Sequence, residues 1–307
     1  MDSWFVGTHE TQECFEDDDK LTYYPNCKKK QGHDLFLPAR DLTPSCLPQR
    51  YHGNVYEVVR YTAQLTVMVV TYVISPGRIN THPRTGRPYP YSNLTIKKLS
   101  RKGSGRIYKI KKITEEDNQP CPCGMCIQSG KPVMTWGEIR IVTATHLVFD
   151  DYEAQNTVCR FGYDQEDSPI ILLTGVGLES ADVDADRCKL ICVTHDVNLV
   201  EELEVTWGRY YDLVRSVRDE FKDIRDEDKV TVVVSHPHGG PKMVTVGEWV
   251  YREDGEGRTC RYCYTASTCP GSSGACVYVV GREGWYYAHV HSGTGGKGNF
   301  SGYGVDY

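Results

Sequence analysis

Three residue types that can make a serine hydroxyl nucleophilic occur along this chain in the order His146, Asp186 and Ser273. Acyl transfer to serine needs an imidazole to take the hydroxyl proton, a carboxylate to orient that imidazole, and backbone N–H groups to stabilise the oxyanion. The stretch TCPGSSGACVY, residues 268–278, offers such a hydroxyl among glycines. Gly271, lacking a Cβ, would let its own amide and that of Ser273 point at a carbonyl oxygen. The same residues can be read as a plain glycine turn. His195, His236, His238, His289 and His291 rival His146 as the base, and Asp182, Asp184 and Asp196 rival Asp186 as the carboxylate.

The 13 cysteines suggest a second kind of chemistry. The opening MDSWFVGTHETQECFEDDDK has no basic start, apolar stretch or small-residue cleavage site, so the expected location is cytoplasmic or otherwise intracellular. An odd thiol count in a reducing compartment argues against a full disulfide framework. The sequons at Asn93 and Asn299 are then chance matches. Cys121, Cys123 and Cys126 in CPCGMC could hold a tetrahedral structural zinc with a fourth thiolate or imidazole. Against this, the paired CxxC…CxxC spacing is lacking and 134 residues separate Cys126 from the CRYC of Cys260 and Cys263. Free or disulfide-bonded cysteines are the competing reading.

The net charge of -6 excludes a broad basic footprint, and the runs KKK (28–30) and KIKK (109–112) are too small to replace one, so no nucleic-acid partner is expected. LTVMVV, the longest strongly apolar stretch, is too short to span a bilayer. RKGSGR (101–106) lacks the spacing of a phosphate loop.

The elements that must position these residues are mostly strands. Residues 1–53 show no sustained period and read as an irregular leader. NVYEVVRYTAQLTVMVVTYVIS, from residue 54, is rich in β-branched and aromatic residues and predicts one long or two consecutive strands. PGRINTHPRTGRPYPYSN reads as a loop. Strands follow at 105–113, 136–149, SPIILLTGVGL and RCKLICVTH, and again at 229–237, KMVTVGEWVYRE, TCRYCYTAS, ACVYVVG and GWYYAHVHSG. One helix interrupts them at about 199–222, with Tyr210, Leu213, Val214, Val217 and Phe221 on one face. About a dozen short strands and one helix predict an all-β sandwich or barrel, or two barrels in tandem.

The motifs around the candidates resemble one family. IVTATHLVF (141–149) is similar to the strand and turn carrying the catalytic histidine of chymotrypsin- and trypsin-like serine peptidases. DRCKLICV (186–193) resembles their aspartate segment, and GSSGA (271–275) their Gly-Asp-Ser-Gly-Gly. The separations of 40 and 87 residues between the three candidates are close to that fold's spacing. GSGRIYKI (103–110), SHPHGGPKMVTVG (235–247) and HVHSGTGG (289–296) extend the likeness over residues 55–307, in a style close to the bacterial glutamyl-endopeptidase-like and stress-protease branches.

The resemblance implies two six-stranded antiparallel β-barrels. The first spans about 54–200, a helical insertion about 199–222, and the second about 229–307. It implies a cofactor-free serine endopeptidase with His146 as base, Asp186 as orienting carboxylate, Ser273 as nucleophile, and the amides of Gly271 and Ser273 as the oxyanion hole. Ser272 replaces the aspartate that pairs with a new N-terminus in trypsin-like zymogens, so activation by that route is not expected. Thr268 and either His289 or His291 resemble the residues with which glutamyl endopeptidases and related viral proteases bind the side chain before the scissile bond, favouring Glu or Gln there; they can also be ordinary strand residues. A peptide or protein substrate is the expected partner. The alternative reading is a catalytically silent relative that binds peptides or proteins in the same cleft.

Overall fold

The computed structural model describes residues 5–15, 25–92, 99–282 and 289–306. Asn93 therefore lies outside the described residues, as does the start of the strand expected at GWYYAHVHSG. Inside the leader, β1 (Gly7–His9) and β2 (Gln12–Phe15) precede tight helical turns and β3 (Leu37–Pro38). The leader is thus not irregular throughout. Its strands carry no apolar alternation because each is an edge added to a larger sheet, which supplies the hydrogen bonds.

The stretch expected as strand from residue 54 begins instead as a helix, α1 (Asn54–Leu65), and only then becomes β4 (Thr66–Thr71). Val55, Val58, Val59, Thr62 and Ala63 are buried at three- and four-residue spacings. Burial of that one face outweighs the weak helix propensity of its β-branched residues. Next come β5 (Leu99–Ile113), the short α2 (Gly124–Ser129), β6 (Trp136–Thr143), α3 (Asp151–Ala154), β7 (Thr157–Phe161), β8 (Ile171–Asp182) and β9 (Arg187–Thr194). The expectation of a single helix is therefore too low. β7, only five residues long, has no pattern that separates it from loop.

β5, β4, β7, β8, β9 and β6 pair antiparallel in that order, and β6 returns to β5, closing a six-stranded barrel; β2 adds to the far end of β5. α4 (Val197–Phe221) begins at Asp196, whose side chain accepts from the Leu199 amide at 3.1 Å. It buries Tyr210, Val214, Val217 and Phe221 in one core with Val55, Val58 and Val59 of α1, Ile139 and Leu190 of the barrel, and Val232 and Val234 beyond it.

The remaining strands are β10 (Val230–Ser235), β11 (Met243–Asp254), β12 (Thr259–Tyr264), β13 (Cys276–Val279), β14 (His289–Gly295), β15 (Gly298–Ser301) and β16 (Gly304–Val305). They form a second sheet in the order β16-β12-β15-β14-β13-β10-β11-β3, with β1 added to β14 and a further pairing between β11 and β12. The molecule is mostly β, with one closed six-stranded barrel and a few helices. Among the described residues, no helix is long and apolar enough to cross a membrane.

A buried ion cluster braces the loop after β4. Arg78 donates from Nε and Nη2 to the two oxygens of Glu153, both at 2.7 Å, and Arg101 Nη2 lies 3.1 Å from Glu153 Oε2. All three side chains are fully buried. Burial alone would raise the Glu153 carboxyl, but the two guanidinium groups hold it below its ordinary range. Arg78 Nη2 also donates to the carbonyl oxygen of His146 at 3.1 Å. Removing the carboxylate would strand two buried cations. Glu153→Ala is expected to lower unfolding free energy by about 3–5 kcal/mol in urea titrations, with Glu153→Gln less damaging because it keeps an acceptor.

Candidate active site

His146 sits in the turn just after β6, and Asp186 immediately precedes β9 with a positive φ of 48°. Ser273 lies in the loop between β12 and β13. The structure brings the three together. Ser273 Oγ donates to His146 Nε2 at 2.7 Å, and His146 Nδ1 donates to Asp186 Oδ2 at 2.7 Å. The His146 amide donates to Asp186 Oδ1 at 3.0 Å, and the Ser292 hydroxyl donates to Oδ2. Burial alone would raise the Asp186 carboxyl, but the charge and hydrogen bond of His146 outweigh it and hold it at about 2. A carboxylate so held fixes the imidazole with Nε2 free to accept the hydroxyl proton.

The rival residues lie elsewhere. His195 stands with the cysteines, His236 faces the Gly240 carbonyl at 2.9 Å, and His238 lies beside His33. Asp182 accepts from the Ala185 amide, Asp184 is 3.8 Å from His82, and Asp196 caps α4.

The serine loop is shaped by Gly271, whose φ is +99°. A Cβ there would come within 2.4 Å of the His236 carbonyl oxygen and 2.8 Å of the His238 nitrogen, so only glycine fits. Ser272 turns inward, its hydroxyl donating to Ser235 Oγ at 3.1 Å and accepting from the Cys269 amide at 3.2 Å, and carries no ion pair.

The amides of Gly271 and Ser273 both donate to one backbone oxygen, that of Glu10, at 2.6 and 3.2 Å. The Glu10 side chain enters a buried pocket beside them. Its Oε2 accepts from Thr268 Oγ1 at 2.5 Å and His291 Nε2 at 2.7 Å, and its Oε1 accepts from Lys29 Nζ at 2.8 Å. Lys29 also donates to Thr268 Oγ1 at 3.1 Å and to Asn299 Oδ1 at 2.9 Å. Asn299, one of the two sequons, is thus a buried pocket residue. His291 accepts at Nδ1 from the Tyr264 hydroxyl at 2.5 Å. Burial keeps His291 below its ordinary value despite Glu10, which fits a neutral ring donating from Nε2, so the positive charge opposite Glu10 sits on Lys29.

His289, the other candidate for this pocket, does not join it. It points to Asp306, 3.0 Å away, and although burial alone would lower it, Asp306 and Cys260 raise it to about 9. Sequence reasoning missed Glu10, Lys29 and Ser292. The first two lie in the leader, where no period marks them; Ser292 adjoins His291 in a stretch already singled out.

Among the described residues, three further groups could hold a metal, one of them Cys260 with His289 and Asp306. Cys121, Cys123 and Cys126 are joined by His195, all ligand atoms lying within 4.8 Å of one another, and so are Cys27, His33, His238 and Cys269. Cys260 lies instead against His289.

No protein-family model matches this sequence, and no curated protein matches it. Among solved structures, the chain is similar to the HtrA-type protease AlgW with a decapeptide, at 14% identity and TM-score 0.40, covering 81% of this chain and 63% of that one. It is similar to the serine endoprotease from Yersinia pestis at 15% identity and TM-score 0.39, covering 81% and 61%. It is also similar to Deg5 at 11% identity and TM-score 0.39, covering 83% and 90%. The chain spans less than two thirds of the length of AlgW.

The pocket gives a pH signature. Burial alone would raise the Glu10 carboxyl, but His291 and Lys29 hold it at about 2, down from 4.5. A depressed folded value means that this stabilisation is fully present above 4.5 and is lost as pH falls towards 2. In the Ser273→Ala chain, acidification from neutral pH to about pH 3 is expected to cost more unfolding free energy than in the Ser273→Ala, Glu10→Gln chain, by at most about 3 kcal/mol in urea titrations. Equal losses in the two chains would show that Glu10 is not held ionised.

Proposed function

We propose that this chain is a serine endopeptidase that hydrolyses the peptide bond following glutamate. Ser273 attacks the carbonyl carbon, His146 takes the hydroxyl proton and returns it to the leaving amine, and Asp186 orients the imidazole. The amides of Gly271 and Ser273 stabilise the oxyanion, each worth on the order of 3 kcal/mol in the transition state. One observation carries this reading: a backbone carbonyl rests on both amides beside a hydroxyl–imidazole–carboxylate chain whose links are each 2.7 Å.

The pocket of Thr268, His291 and Lys29 supports glutamate over glutamine, because the Lys29 ammonium makes a charge-assisted hydrogen bond to a carboxylate that a neutral amide cannot match. In this reading the second sheet is the counterpart of the closed barrel, its pairings running β12-β15-β14-β13-β10-β11 and back to β12. Residues 54–200 and 229–307 then form the two halves of a chymotrypsin-like fold, with α4 between them.

A fluorophosphonate probe is expected to label the native chain and neither Ser273→Ala nor His146→Ala. Asp186→Asn should lower kcat on a glutamyl peptide by about 10⁴, with Asp184→Asn unchanged. Lys29→Ala and His291→Ala should each cost about 10- to 100-fold in kcat/KM on glutamyl peptides, the value of one charged hydrogen bond. A folded native chain that neither labels nor cleaves would support the alternative, a silent peptide-binding relative.

A further inference from the structure

We propose that the chain cuts itself, in cis, between Glu10 and Thr11, a reaction that rests on the peptidase reading above. The leader lies in the cleft as a substrate would. β1 pairs antiparallel with β14, Gly7 opposite Gly295 and His9 opposite Gly293, so the strand is held up to the residue before Glu10. The His9 ring stacks on His146 with centroids 4.0 Å apart, and its Nδ1 donates to the Ser292 carbonyl at 2.8 Å. Glu10 then places its carbonyl on the two amides and its side chain in the pocket. Beyond the Glu10–Thr11 bond the chain crosses to the other sheet, where β2 pairs with β5, Gln12 opposite Lys102 and Cys14 opposite Ser100. Only Glu10 and Thr11, the residues on either side of this bond, lie between a strand fixed on the sheet of Ser273 and a strand fixed on the barrel of His146.

A segment held on both sides of the nucleophile, with its carbonyl already on the oxyanion donors, has the anchoring by which a tethered substrate reaches a near-attack geometry without bimolecular encounter. Ser273 Oγ bonds to the Glu10 carbonyl carbon while its proton passes to His146 Nε2. The C–N bond to Thr11 breaks, the proton goes to the Thr11 nitrogen, and Glu10 remains as an ester on Ser273. Water, deprotonated by His146, hydrolyses that ester, releasing the Glu10 carboxylate and restoring the serine. One water is consumed and nothing is oxidised or reduced.

Intact-mass measurement and N-terminal sequencing of the full chain test this. The native chain is expected to convert to one beginning at Thr11, by first-order kinetics whose rate does not change with protein concentration. Ser273→Ala should stay whole, and Glu10→Ala should slow the conversion by at least about 100-fold, with circular dichroism confirming that both are folded. A native chain that labels with fluorophosphonate and cleaves a glutamyl peptide, yet keeps its Glu10–Thr11 bond on long incubation, overturns self-cleavage and leaves the peptidase reading standing. A rate proportional to concentration overturns the cis assignment. A folded chain with neither labelling nor peptide cleavage fails at the peptidase reading itself.

Independently, the geometry points to a tetrahedral zinc held by Cys27, His33, His238 and Cys269. Cys27 Sγ and Cys269 Sγ are 3.6 Å apart, and His33 Nε2 and His238 Nε2 are 3.4 Å apart. Zinc bonds of about 2.3 Å to sulfur and 2.0–2.1 Å to nitrogen set tetrahedral edges of about 3.8 and 3.3 Å, close to both. The other nitrogen of His238, Nδ1, faces Gln12 Oε1 at 3.3 Å, the second contact a ligating imidazole makes. The Lys29 amide donates to Cys27 Sγ at 3.3 Å, as it would to a thiolate.

The cluster suggested by CPCGMC has the same character, with His195 Nε2 at 3.2, 3.8 and 3.5 Å from the sulfurs of Cys121, Cys123 and Cys126. Elemental analysis of protein purified under reducing conditions is expected to give two zinc per chain, falling to one in Cys27→Ser and to one in Cys126→Ser. The cobalt-loaded variants should keep different thiolate spectra, of three sulfurs and of two. Folded native protein with less than one zinc overturns both sites; one zinc in native protein that survives Cys27→Ser overturns the site proposed here.

Discussion

His146 and Ser273 stand on different sheets, so their 2.7 Å contact depends on how those sheets are registered, and Ser104 of β5 ties one to the other. Its amide donates to the Ser273 carbonyl and its hydroxyl to the Gly271 carbonyl, each at 2.8 Å. That hydroxyl also accepts from the His236 amide at 2.8 Å, and the Ser104 carbonyl accepts from Thr143 Oγ1 at 2.7 Å. One buried residue of the barrel thus holds the serine loop on either side of Ser272. The close approach requires its neighbour to be glycine: a Cβ on Gly103 would lie 2.3 Å from Leu147 and 2.7 Å from the Ser273 carbonyl.

Around this joint three buried carboxylates are each held by directed donors. Glu153 is held by Arg78 and Arg101 behind His146, Asp186 by His146 and Ser292 in front of it, and Glu10 by Lys29 and His291. Each carboxylate has its desolvation offset by directed donors, which is the condition for keeping it ionised indoors. The consequence is preorganisation. His146 is fixed through its backbone carbonyl by Arg78 and through Nδ1 by Asp186, so main chain and ring are both held in place beside the Ser273 hydroxyl.

What was legible in the sequence follows the range over which each pattern acts. Strands with their own alternation or apolar runs, such as Trp136–Thr143 and Val230–Ser235, and the long helix with Tyr210 and Val214 on one face, could be read locally. The grouping of His146, Asp186 and Ser273 was readable because each sits in a distinctive local motif. α1 was misread because five β-branched or small residues on a buried helical face look like strand when composition outweighs spacing. His289 and His291 could not be separated, since both are buried; a bulge in the pairing of β14 with β15 between His291 and Gly293 is invisible in one dimension.

The leader was illegible for a different reason. Its strands take their hydrogen bonds from β14 and β5, so their sequence needs no periodicity, only a residue that suits the pocket at the crossing point. Lys29 is placed there by what flanks it, with Cys27 beside Cys269 and His33 beside His238. His146, Asp186 and Ser273 are therefore anchored in the two sheets, whereas the ammonium opposite Glu10 comes from a segment clasped onto them. The hydroxyl–imidazole–carboxylate chain, with its 2.7 Å links, and the ammonium opposite Glu10 are thereby carried by different parts of the chain, the one by the two sheets and the other by the clasp.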